Sequence, residues 1–150
     1  MKKHLLLLIV TVFASVTILY SQTPNWSWAK SGIGAEYDQS SAVATDASGN
    51  VFVTGYFASD NIQLGSITLN NNTIGFDDAF IAKYDSSGNI VWAQSFGGTS
   101  DDKGYSLATD NIGNVYLSAV FYSPSITIGP YTFTNAGNVG DILVVKFSSS

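Results

Sequence analysis

The chain has 150 residues, of which 45% are hydrophobic and 13% aromatic but only 11% charged; Gly numbers 14, and Ser, Thr and Asn together 43. This is a globular composition whose polarity comes from small neutral side chains, which excludes a coiled coil, a long charged helix and charge-driven disorder. The formal charge is −5, and the lack of Cys removes disulfide scaffolds, thiol catalysis and thiolate metal sites together.

The N-terminus carries Lys2 and Lys3, an apolar run from Leu5 to Tyr20 broken only by Thr11, Ser15 and Thr17, and then Ser21. A basic start, a short apolar stretch and a small residue form the pattern of an export signal over residues 1–21, cleaved after Ser21. A retained anchor is the competing reading. The run has 16 residues, where roughly 20 are needed to cross the hydrocarbon core, and no basic flank follows it, so no stable membrane insertion is expected after cleavage. The expected location is secreted or at the cell surface.

Cleavage also removes His4. Residues 22–150 then hold Lys30, Lys83, Lys103 and Lys146 against Glu36 and ten Asp, a net charge of −7, with no Arg. Binding a phosphate backbone or anionic lipid depends on clustered Lys and Arg, so nucleic acid is not an expected partner.

From residue 22 onward the chain reads as short strands, with Val, Ile, Phe and Tyr runs bounded by Gly, Asn, Asp and Ser clusters. In chain order they are expected at 26–31, 41–45, 51–57, 79–84, 90–95, 105–109, 115–121 and 142–147. Smaller hairpins are expected at 62–64 with 67–69 around Gly65-Ser66, and at 126–128 with 131–133 around Gly129-Pro130. A Gly in the first turn position suits a type II′ turn. Asp-x-x-Gly-Asn occurs between strands at Asp46–Asn50, Asp85–Asn89 and Asp110–Asn114. There Asp accepts the turn's own N–H groups and Gly supplies positive φ. Calcium is the sharper reading of these turns, but each carries one carboxylate and lacks the alternating ligands and closing Glu of a Ca²⁺ loop.

The stretch from Asn25 aligns with the stretch from Asn89 at a constant offset of 64, and 18 of 52 positions are identical over 25–76 against 89–140. After one deletion, DAFIAKYDSS from Asp78 aligns with DILVVKFSSS from Asp141. Two units, about 25–88 and 89–150, fill the chain beyond the signal. The expected fold class is therefore all-β: four-stranded antiparallel β-propeller blades of about 64 residues, two of them making an incomplete ring. The strand at 26–31 matches the last strand of a unit whose first three strands are missing, and the second unit lacks its outer strand. Closed rings have roughly four to eight blades, so the remaining blades of a longer chain, or homo-oligomerisation, are needed for closure.

These motifs are Trp92-Ala93 to Gly97-Gly98, Ala44 and Asp46 to Gly55, and Asp78 to Asn89. On them the chain resembles the SBBP family of bacterial β-propeller repeats, over residues 25–147. The resemblance implies an exported, often cell-surface protein with many copies, of which this chain would be an N-terminal fragment, and it brings no catalytic residues. The second unit departs from the pattern at Ala119, where the first has Gly55.

Without His or Cys after residue 21, nucleophilic triads and zinc sites are not expected. The adjacent carboxylates Asp77-Asp78 and Asp101-Asp102 read as solvated turn residues. Asp38 and Asp102 precede the innermost strands and are the metal candidates, as a Ca²⁺ collar; the alternative is capping of strand ends. Trp28 and Trp92 are the candidate sugar-stacking residues, with packing between blades as the alternative. The sequence thus favours a non-catalytic structural or interaction module with a protein or glycan partner. Two further readings stay open. One is a carbohydrate-binding module in which three two-blade chains close a ring; the other is a carboxylate-dependent sugar-acting enzyme.

Overall fold

A computed structural model describes residues 24–137 and 139–149, so the expected export signal lies outside the described residues. The described residues form twelve strands: β1 (Gly32–Ile33), β2 (Asp38–Thr45), β3 (Val51–Phe57), β4 (Asn61–Leu64), β5 (Ile67–Asn70), β6 (Asp78–Tyr84), β7 (Ile90–Phe96), β8 (Asp102–Thr109), β9 (Val115–Phe121), β10 (Ser125–Ile128), β11 (Tyr131–Thr134) and β12 (Asp141–Phe147). All pairings are antiparallel. The first blade is the four-stranded sheet β2-β3-β6-β7, the second the three-stranded sheet β12-β9-β8, and the β4-β5 and β10-β11 hairpins are inserted after the second strand of each.

The turns follow local chemistry. Gly49, Gly88 and Gly113 adopt φ of +78°, +81° and +85°, and each Asp at the head of its turn accepts backbone N–H groups two and four residues on. The hairpin glycines Gly65 and Gly129 have φ of +61° and +56°, while no non-Gly residue among the described residues has positive φ, which selects type II′ rather than I′.

Strand alternation gives each blade two faces. Phe52, Thr54, Ala79 and Ile81 line one face of the first blade and are buried against Val115, Leu117, Ala119, Phe121 and Leu143 of the second, with Ile126 and Ile128 of the β10-β11 hairpin in the same core. The opposite face of the first blade carries Phe57, Phe80, Ala82 and Tyr84, covered in part by Ile62, Leu64 and Leu69 of its own hairpin. Comparing the copies locates the uncovered surfaces. Ala79 and Ile81 are 0% exposed, whereas their counterparts Ile142 and Val144, on the free face of the second blade, are 79% and 68% exposed. Conversely Leu107 packs into the core between blades, while its counterpart Val43, with no blade before it, is 66% exposed.

One expected strand is not formed. Residues 26–31 take no strand structure, and only Gly32–Ile33 pairs, with Leu64 and Gln63 of β4. An outer strand needs the edge of a third strand to bond to, and among the described residues no strand pairs with this segment.

Close approach of the blades is set by Gly104 in the innermost strand of the second: a Cβ there would collide with Thr54 Oγ1 of the first blade and lie 3.1 Å from the Gly55 carbonyl. Gly104→Ser, which installs the residue that the first copy has at this position, Ser40, should cost about 1–3 kcal/mol by overpacking. Urea unfolding followed by far-UV circular dichroism measures it; an unchanged midpoint would show that the blades do not meet there.

Candidate interaction site

Asp38 and Asp102, expected just before the innermost strands, are instead their first residues, and each ties its strand to the loop after the next strand. Asp38 accepts hydrogen bonds from Ser59 N (3.2 Å) and Ser59 Oγ (2.9 Å), and Ser59 Oγ in turn accepts Glu36 N at 2.8 Å. Asp102 Oδ1 accepts Tyr122 N (3.0 Å) and Ser123 N (3.2 Å), and its Oδ2 accepts Gly98 N (2.9 Å) and Ser123 Oγ (2.6 Å). These are strand-end locks whose carboxylate oxygens already have protein donors. No group of three or more His, Cys, Asp or Glu is placed to hold a metal ion among the described residues. The serines were missed in the sequence, although their identity in both copies, Ser59 and Ser123, was the available signal.

The solvated reading of the adjacent carboxylates needs correction. Asp101 is partly exposed, but Asp78 and Asp102 are fully buried, because the second residue of each pair is the first of a strand and turns inward. Asp78 Oδ2 accepts Asn72 N at 2.9 Å and Asn72 Nδ2 at 2.7 Å, while its Oδ1 has no partner. Burial pushes its pKa up to about 6, against the bonds from Asn72. Burial also raises the Asp102 pKa, opposed by its four donors.

Asp77 is no free surface carboxylate either. Lys103 of the second blade reaches it at 2.7 Å, lies 3.9 Å from Asp101, and sits 4.6 Å above the centroid of the Tyr56 ring. The Asp77 bond holds the Lys103 ammonium above its ordinary pKa. This lysine clamps the two blades on the side where Asp102 N donates to the Asp77 carbonyl at 2.6 Å.

Both candidate stacking residues, Trp28 and Trp92, pack a ring against aromatics of the chain itself, while Trp26 is exposed. Trp92 packs against Phe52 (centroids 6.2 Å apart) and stacks on Phe147 of the second blade (5.7 Å, 29°). Trp28 stacks on Tyr84 (6.2 Å, 26°) and donates from Nε1 to the Ser86 carbonyl at 3.3 Å. Between the Trp28 segment and the open face of the first blade runs a groove of about 560 Å³, lined by Lys30, Asp38, Val43, Val53, Leu64 and Phe80 among others. On the free face of the second blade Ile142 and Val144 are uncovered.

Two outcomes check these locks. Ser123→Ala removes a hydroxyl that both donates to Asp102 and accepts Ser100 N, and should cost about 1–3 kcal/mol in chemical unfolding. Asp78 is protonated more readily folded than unfolded, so it binds more protons in the native state between its ordinary value of 3.8 and about 6. Its contribution to stability therefore falls as pH rises through that window and is fully regained below it. The difference in unfolding free energy between the native chain and Asp78→Asn, followed across pH 4–6, should change with that sign; a flat difference would place the carboxyl in water.

No family model matches the chain. The chain is 30% identical over 119 residues, 77% of its length, to an uncharacterized WD repeat-containing protein, L264, of Acanthamoeba polyphaga mimivirus, and it spans 9% of that relative's length. Together with the all-β blades, this likeness fits a repeat protein of the β-propeller-like kind.

Proposed function

We propose that the chain is an exported, non-catalytic interaction module of the SBBP repeat type, working at the cell surface with a protein partner. The observation that carries this reading is the free face of the second blade, where Ile142 and Val144 are presented to solvent at the positions that Ala79 and Ile81 bury in the first. An apolar sheet face of this kind suits a protein surface better than a sugar ring, which stacks on exposed aromatics. Three of the carboxylates are committed to structure: Asp38 and Asp102 to strand-end locks, Asp77 to Lys103. The basic and apolar N-terminus supports export.

Fusing residues 1–21 to a phosphatase that is active only outside the cytoplasm tests the location. Activity in the exported fraction, with a processed N-terminus at Gln22, is the expected result, and activity confined to the cytoplasm would refute the cell-surface role. Protease treatment of intact cells producing the whole chain should then remove it from the surface.

A further inference from the structure

The loops between β5 and β6 and between β11 and β12 are built on one frame. Asn71 donates from Nδ2 to the Phe57 carbonyl (3.1 Å) and the Phe76 carbonyl (2.8 Å), and its Oδ1 accepts Thr73 N at 2.9 Å. Asn135 repeats the pattern in the second blade, with the carbonyls of Phe121 (3.1 Å) and Val139 (2.8 Å) and with Gly137 N at 2.9 Å. The aspartate that opens the next strand closes each frame: Asp78 accepts Asn72 N, and Asp141 accepts Ala136 N. The frame is kept while its contents are not. Asn71 and Asn135 stand at the repeat offset of 64, whereas Asp78 and Asp141 stand at 63, so the one deletion between the copies falls inside this loop.

Within the frame the first loop carries Ile74, Gly75 and Phe76. Gly75 has φ of +92°, and a Cβ placed on it would meet no atom within 4 Å. Ile74 and Phe76 are exposed on either side of it. Neither side chain fastens the loop, which is held instead by its Asn and Asp groups, by Thr73 Oγ1 on the Gly98 carbonyl (2.8 Å) and by Asp77 N on Asp101 Oδ1 (3.1 Å). Apolar side chains held out in water lose solvation and gain no burial within the chain, which suits them to contact with another molecule. Asp101 carries the surface onward: its carbonyl accepts Tyr122 N at 3.0 Å, and the exposed Tyr122 ring lies against Gly140, beside the exposed Val139.

The strand directions fix the charge around these side chains. At this end of the blades β3 and β9 finish and β6, β8 and β12 begin, which gathers Glu36, Asp60, Asp77, Asp101 and Asp141 about the loops. Lys103, the cation placed among them, is already bonded to Asp77. We infer that the 71–77 loop, continued by Tyr122 and Val139, docks a protein segment in which apolar side chains are flanked by Lys or Arg. The apolar tips supply the anchoring contact, and the carboxylates draw in a cationic partner while disfavouring anionic lipid and nucleic acid. A change of tip within the kept frame alters what is bound without disturbing the blade. This surface is separate from the Ile142 and Val144 face, so the inference goes beyond the role proposed above and holds wherever the chain resides.

Selection of a random dodecapeptide display library on the whole chain tests it. The expected peptides combine Lys or Arg with Leu, Ile, Phe or Trp, and their binding weakens as salt is raised. The double variant Ile74→Ser, Phe76→Ser should bind them about tenfold or more less tightly, with the urea midpoint of the native chain. Ile112→Ser, exposed in a turn at the opposite end, and Val144→Ser, on the sheet face, should bind as the native chain does. In the native chain, which requires no variant to fold, adding a selected peptide should shift the backbone amide resonances of residues 74–77 and leave those of 111–113 in place. Peptides without basic residues, unchanged binding by the double variant, amide shifts elsewhere, or no selected peptide at all would overturn the inference. Binding lost only in Val144→Ser would overturn it too while leaving the role of the sheet face standing. Sedimentation of the chain with phosphatidylglycerol vesicles, abolished by the double variant, would assign the loop to a membrane instead.

Discussion

A propeller blade is a sheet with two apolar faces and no core of its own, so each blade is stable only where a neighbour covers it. Among the described residues, that condition is met at the interface between the first and second blades. Phe52, Ile81, Val115 and Leu117 are buried there from both sides, and the hydrogen bond from Thr109 Oγ1 to the Thr45 carbonyl, at 2.7 Å, joins the two blades at the turn end. A counterpart pair such as Ile81 and Val144 differs little in chemistry and completely in environment.

The polar groups serve the same arrangement. Asp102 with Ser123, and Asp38 with Ser59, fasten the head of each innermost strand to the loop that leads into the inserted hairpin. Buried charge is acceptable there because the oxygens of Asp102 receive four donors. Lys103 adds a lateral tie between blades through Asp77 and the Tyr56 ring. Its counterpart in the first copy is Gln39, which accepts hydrogen bonds from Tyr37 and Tyr56 within its own blade. The two copies are thus alike in how they hold a blade together and unlike in how they grip a neighbour.

Much of this was legible in the sequence. The strands at 51–57 and 115–121 fall on the residues that form them, because a β-branched and aromatic run between turn residues leaves little choice of ends, and the positive φ of Gly49, Gly88 and Gly113 was implied by the Asp-x-x-Gly-Asn pattern. The innermost strands begin three residues earlier than their apolar patterns, at Asp38 and Asp102, since these carboxylates are strand residues rather than loop residues. The burial of Asp78 was hidden because a carboxylate reads as solvated until its donors are known. The segment 26–31 has the composition of a strand, but pairing depends on an edge that composition does not supply. Lys103 was invisible as a clamp because its partners lie in different elements of another blade.

Gly104 and Gly55 show how the two copies diverge. In the first blade Gly55 of β3 makes room for the backbone of Gln39 and Ser40; in the second, β9 carries Ala119, and the glycine stands opposite it at position 104. The Gly55 opening therefore serves the pairing of β2 with β3 inside one blade, while the Gly104 opening serves the approach of the second blade to Thr54 and Gly55 of the first. Exchange of genetic material between such repeats has to meet both demands. A β2-β3 hairpin moved into the second place keeps its own Gly55 but sets Ser40 where a neighbour needs the space of Gly104. Each inner hairpin is in this way fitted to its place in the array as well as to its partner strand, so that the order of the repeats is inherited with the repeats themselves.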